Sequence, residues 1–281
     1  DTVTFTSGAN LSVDGTIKLD GNYPTGTNNV ALGNTALDSG SLSGGCNTAI
    51  GNASLTANTT GTQNIGIGHL ALTANTEGIR NIAIGANSAD ANTTGGCNVA
   101  VGQSSLGTNT SGCCNVAIGG SALGNSTTAS NNTAVGKSSL ETNTTGANNV
   151  AVGYLSLDAN TTGSSNVAMG RGSLGANTTA SNNVAIGDLA LVANTEGTNN
   201  VAIGRDSLAA NTTASGNTGV GESALQLTTT GCCNTAVGNG ALQANTTGDY
   251  NVSVGQGSLA FHTTGDNNTA IGGLAMFCNT T

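Results

Sequence analysis

Asn149-Val150-Ala151-Val152-Gly153-Tyr154-Leu155-Ser156-Leu157-Asp158-Ala159-Asn160-Thr161-Thr162-Gly163-Ser164-Ser165 is one unit of 17 residues, and Asn166-Val167-Ala168-Met169-Gly170 opens the next. The Gly that closes each Val-Ala-Ile-Gly-like tetrapeptide recurs as Gly33, Gly51, Gly68, Gly85, Gly102, Gly119, Gly136, Gly153, Gly170, Gly187, Gly204, Gly221, Gly238, Gly255 and Gly272. The first interval is 18 and every later one is 17. A fixed short period marks a stack of similar units, each contacting its neighbours. Residues 28–281 therefore read as one repeat domain, preceded by a lead-in over 1–27. The alternation in Thr2-Val3-Thr4-Phe5-Thr6 and in Leu11 to Leu19, with turns at Asp14-Gly15 and Asp20-Gly21, predicts strands that cap the first rung.

Composition agrees with a stack. The 281 residues include 44 Gly, 1 Pro and no Trp, with 2% aromatic and 7% charged residues, too few for an ordinary layered core. At 36% hydrophobic, the chain is nevertheless too apolar for disorder. The net charge of −9 reflects scarce bases: Lys18, Arg80, Lys137, Arg171 and Arg205 are scattered along the whole length. Without a basic stripe, nucleic acid is not an expected partner. No long apolar run predicts membrane insertion, and no basic-then-apolar leader opens the chain.

Counting positions from the marker Gly as zero, position −4 is Asn in every copy: Asn29, Asn47, Asn64, Asn81, Asn98, Asn115, Asn132, Asn149, Asn166, Asn183, Asn200, Asn217, Asn234, Asn251 and Asn268. Identical amides stacked in register predict an internal hydrogen-bonded ladder. Positions −3 and −1 are Val, Ile, Thr, Leu or Met around a small −2 residue, the alternation of a strand with −3 and −1 on one face. Leu at +4, replaced only by Ala89 and Met276, predicts a second strand whose +4 and +6 residues share the interior. The Asn-Thr-Thr-Gly stretch is the return turn, with Ala129, Ala180 and Ala214 marking a second turn variant. The expected fold is an all-β, parallel β-solenoid (β-roll) of about fifteen 17-residue rungs.

Positions −2 and +3 hold only Ala, Gly or Ser, whereas +1 accepts His69, Lys137, Tyr154 and Arg171. Read as outward-facing, these small-residue ladders predict close approach of another chain, hence a homo-oligomer, with a three-fold trimer favoured for a fibre. The chain stops inside a repeat, at Asn279-Thr280-Thr281, which raises the alternative of end-to-end polymerisation.

The runs Asn149-Val150-Ala151-Val152-Gly153 and Asn183-Val184-Ala185-Ile186-Gly187 resemble the head repeats of trimeric autotransporter adhesins. With Ala-Leu-x-Ala-Asn-Thr-Thr-Gly following, the unit also resembles repeat arrays of bacteriophage tail-fibre and virion structural proteins. The resemblance covers residues 27–281 and implies a left-handed roll with three chains intertwined or side by side. The 17-residue period departs from the adhesin repeat, which is near 14.

Residues suited to chemistry are sparse. Cys97 and Cys114 occupy the same position in successive rungs, which places them within reach of a disulfide along the rod; a bridge between chains and free thiols are the other readings. His69 and His262 fall at variable outward or turn positions, far apart. Asn58, Asn92, Asn143, Asn160, Asn177, Asn211 and Asn245 open Asn-x-Thr/Ser triplets, read as turns, or as glycan acceptors only along a glycosylating secretory route. No paired carboxylates, nucleotide loop or metal-ligand spacing emerges, so neither an enzyme nor a cofactor is expected. The leading expectation is a structural fibre, extracellular or on a virion surface, that spaces or presents an adhesive end. The rival class is a binding module whose stacked Thr and Asn face recognises a cell-surface glycan or receptor, or ice.

Overall fold

A computed structural model describes residues 26–280, and the expected lead-in lies almost entirely outside them. Fifteen three-residue strands run from β1 (Val30–Leu32) and β2 (Thr48–Ile50) through β8 (Val150–Val152) to β14 (Val252–Val254) and β15 (Thr269–Ile271). They form one parallel sheet in strict sequence order. Register is exact from rung to rung: Val150 pairs with Thr133 and Val167, Ala151 with Ala134 and Ala168. The chain is a parallel β-solenoid. At about 4.8 Å per rung, the stack is about 70 Å long.

The strand faces are opposite to those expected. Ala151 and its equivalents at −2 are buried in every strand but the first, where Ala31 is half-buried, while Val and Ile at −3 and −1 lie on the outer face, half-buried or exposed. The small residues at +3 also point inward, as Ser54, Ala71 and Ser156 show. The Ala/Gly/Ser ladders therefore line the interior of one coil and cannot be a surface between chains. The reason is space: Leu at +4 fills the coil, and a Cβ added at Gly66 would already lie 3.4 Å from Leu55 Cγ. A branched side chain at −2 would collide with that Leu, so the branched residues of the strand turn outward.

No second strand forms at +4 to +6. Positions +2 and +4 take positive φ, as at Leu155 (φ 53) and Leu157 (φ 54), which bends the chain twice. Ser54 N–H donates to Gly51 O at 3.4 Å and Asn58 N–H to Leu55 O at 3.2 Å, closing two consecutive turns. A left-handed Leu costs about 1–2 kcal/mol, but complete burial of its side chain contributes about 1.5–3 kcal/mol. Ala57 and Ala74, at +6, are only half-buried. Away from the sheet the rungs remain tied through the main chain, with Leu55 N–H on Ala71 O at 3.0 Å and Thr59 N–H on Thr76 O at 2.9 Å.

The marker Gly is required by its backbone. Gly153 has φ +136, and an added Cβ would meet Gly170 O at 2.5 Å. The turn Gly at +10 has no such φ, which is why Ala129, Ala180 and Ala214 stand at that position within the same turn.

Candidate assembly face and internal ladders

Two amide ladders run inside the coil. In the −4 ladder, Asn64 N–H donates to Asn47 Oδ1 at 2.9 Å, and Asn47 Nδ2 crosses the coil to Gly61 O at 2.9 Å. The same pair of bonds recurs at Asn149, whose N–H reaches Asn132 Oδ1 at 2.9 Å and whose Nδ2 reaches Gly163 O at 2.9 Å. Each Asn thus closes its own rung and joins it to the next. The ladder extends from Asn29, which accepts from Asn47 N–H at 2.8 Å, to Asn268, which donates to Asn251 Oδ1 at 2.9 Å.

A second ladder, at +7, was not anticipated from the sequence. Asn75 Nδ2 donates to Asn58 Oδ1 at 2.9 Å and to Gly78 O at 3.1 Å, and Asn160 repeats this with Asn143 Oδ1 at 2.8 Å and Gly163 O at 2.9 Å. The +10 carbonyl accepts from both ladders, using both of its lone pairs. Asn58, Asn92, Asn143, Asn160, Asn177, Asn211 and Asn245 are buried in the coil, so their amides are structural and sealed from glycan attachment. The available signal was the recurrence of Asn at +7, the same cue that marked −4. His262 belongs to this column too: it is fully buried, contrary to the outward or turn position expected, with Nε2 2.8 Å from Gly265 O.

Threonine hydroxyls at +8 extend the cross-linking, as when Thr161 Oγ1 donates to Thr178 O at 3.0 Å. On the outer surface, Arg171 pairs with Asp188 at 2.8 Å and Arg205 with Glu222, one rung apart. Exposed pairs of this kind contribute little to stability.

Cys97 and Cys114 are exposed free thiols at equivalent left-handed positions (φ 59 and 60). Hydrogen bonding to Cys113, with a further contribution from Cys97, raises the Cys114 thiol above its usual range. In the second vicinal pair, hydrogen bonding to Cys233 and then burial push Cys232 up to about 11. Thiols raised in this way stay protonated and react slowly.

A shallow cleft of about 260 Å³ opens where Gly107 and Gly124 replace larger +5 residues, with Asp90 and Glu141 at its ends. Burial raises the Asp90 carboxyl above its usual value, outweighing hydrogen bonds from the main chain. Among the described residues, no three His, Cys, Asp or Glu side chains gather as a metal ion would require.

The most extensive surface feature is the outer face of the sheet. Ile118 is 40% exposed, Met169 39%, Ile186 36% and Ile203 37%, each beside a completely buried Ala. These residues belong to the −1 ladder, which is apolar along the whole sheet; the −3 ladder beside it is Val or Ile, interrupted by Thr48, Thr133, Thr218, Thr235 and Thr269. Isolated exposed apolar residues are ordinary on a protein surface; a contiguous stripe of this length is not.

Fold and ladders together define the chain as a β-solenoid repeat protein. Comparisons with protein-family profiles, curated proteins and solved structures find no match.

Proposed function

We propose that this chain is the shaft of a structural fibre, a stiff rod that associates laterally with two copies of itself and holds an adhesive end away from the surface that bears it. The carrying observation is the outer face of β1–β15, where −1 is Val, Ile, Leu or Met in every strand and −3 is Val or Ile except at Thr48, Thr133, Thr218, Thr235 and Thr269. Three residues of strand span about 10 Å, so the stripe covers about 700 Å². That is close to the about 800 Å² that each partner contributes to a stable complex. In a closed three-fold arrangement the −3 ladder of one chain meets the −1 ladder of the next, and the six ladders share one core, apolar except at the levels of the −3 Thr residues. The buried Ala/Gly/Ser ladders have no part in this interface.

The repeats' likeness to trimeric adhesin heads and virion fibres supports an extracellular or virion-surface setting. Rigidity follows from the ladders, since every rung is bonded to its neighbours through the main chain and through Asn −4. The test is the double substitution Ile118→Glu with Ile186→Glu. Both side chains lie on the stripe, so the variant should keep its solenoid circular dichroism and lose self-association. Unchanged association would overturn the proposal.

A further inference from the structure

We propose that two structural water molecules are built into the core of the solenoid, one beside Ser126 and one beside Thr228, each taking the place of a missing asparagine amide. The +7 ladder is continuous from Asn58 to Asn109 and from Asn143 to Asn211, and it is broken where Ser126 and Thr228 replace Asn. All the side chains bordering these breaks are fully buried.

Each break leaves a consistent set of unused bonds. Asn109 Oδ1 and Ser126 Oγ have no partner, and neither do Asn211 Oδ1 and Thr228 Oγ1. Across the first break, Asn143 Nδ2 bonds only Gly146 O, at 2.9 Å, whereas Asn160 Nδ2 in an intact rung makes two bonds. Ala129 O likewise accepts one ladder amide, Asn115 Nδ2 at 2.8 Å, where Gly163 O accepts two. The second break repeats the pattern. Asn245 Nδ2 bonds only Gly248 O at 3.0 Å, and Gly231 O accepts only Asn217 Nδ2 at 2.8 Å.

A water at the position of the absent Nδ2 satisfies the groups on the near side of the break. Beside Ser126 it donates to Asn109 Oδ1 and Ala129 O and accepts from Ser126 Oγ, while Asn143 Nδ2, a rung further on, keeps its bond to Gly146 O. Those three partners match the about three that a typical buried water makes. Ser lacks two of the four heavy atoms of an Asn side chain, a shortfall comparable to the about 30 Å³ that one water occupies in the liquid, whereas Thr lacks one, so the second site is the tighter. Leaving the groups unpaired would cost about 1–3 kcal/mol for each buried polar atom. At the third break the imidazole of His262 fills the column and reaches Gly265 O; Asn245 Oδ1 alone is left unpaired there, and with the ring in the amide's place no water is placed.

The test is a crystal structure of the full chain at a resolution that shows ordered solvent, with ¹⁷O magnetic relaxation dispersion to count long-lived waters in solution. The expected result is one ordered water bonded to Asn109 Oδ1, Ser126 Oγ and Ala129 O, and its counterpart at Thr228. Ser126→Asn and Thr228→Asn should each remove one long-lived water and restore the amide ladder. No solvent density at either break, direct bonding of Asn109 to Asn143, or an unchanged water count in the variants would overturn the proposal.

Discussion

The main-chain N–H of Asn166 donates to Oδ1 of Asn149, one rung earlier, at 2.9 Å, in a part of the coil closed to solvent. The bond makes a side chain serve as main chain, extending the parallel ladder beyond the three residues of each strand. Replacing Asn149 by Ala would leave the Asn166 N–H buried without an acceptor. The expected loss is about 1–3 kcal/mol for that group alone. Urea denaturation of Asn149→Ala checks it, and a change within about 0.5 kcal/mol, the range of a neutral surface substitution, would contradict it.

Leu157 is completely buried, whereas the equivalent place four rungs earlier in the stack is held by Ala89. Leu157→Ala should cost about 2–5 kcal/mol. Ala89→Leu restores the residue found in most rungs and should raise the melting temperature. A fall on Ala89→Leu would show that the fourth rung has repacked around Ala.

Two glycines ten residues apart should respond differently to the same substitution. Gly153→Ala forces a side chain into φ +136 and against Gly170 O, with backbone strain alone costing about 1–3 kcal/mol. Gly163→Ala carries no φ strain, in a column where Ala129, Ala180 and Ala214 already occur; its added Cβ would meet Ala180 O at 2.3 Å, so it requires a rung shift of the kind those three rungs accommodate and should cost less than Gly153→Ala. Equal losses in thermal denaturation would contradict the conformational argument.

Burial raises the carboxyls of Asp90 and Asp158 above the usual 3.8, and Glu141 adds to the shift at Asp158. A carboxyl raised in the folded state favours folding while it is protonated. That contribution is fully present below pH 3.8 and is lost as pH rises through the elevated value. The double variant Asp90→Asn with Asp158→Asn should therefore melt higher than the parent at neutral pH, the advantage shrinking toward acid. An advantage independent of pH would exclude this origin.

The period, the rung count and the −4 Asn column could be read directly from the sequence because stacking repeats the same demand on the same residue in each turn. The direction of the strand faces could not. Val150 and Val152 flanking Ala151 give the same alternation whichever face is inside, and apolar character alone assigns the branched residues inward. What decides the matter is coil width, set by Leu157 in the left-handed region, a conformation that the sequence of a non-glycine residue does not announce. Asn160 looked like a turn residue for a related reason. Asn is favoured both in turns and in amide ladders, and only the position of the Gly163 carbonyl between the two Asn columns distinguishes the roles.

The central claim is that the Val/Ile face is covered by copies of the same chain. Light scattering coupled to size-exclusion chromatography under reducing conditions tests it most directly, with the exposed thiols kept from cross-linking. The account predicts a single species at three times the 27.0 kDa chain mass. A species at 27.0 kDa across the concentration range would contradict it.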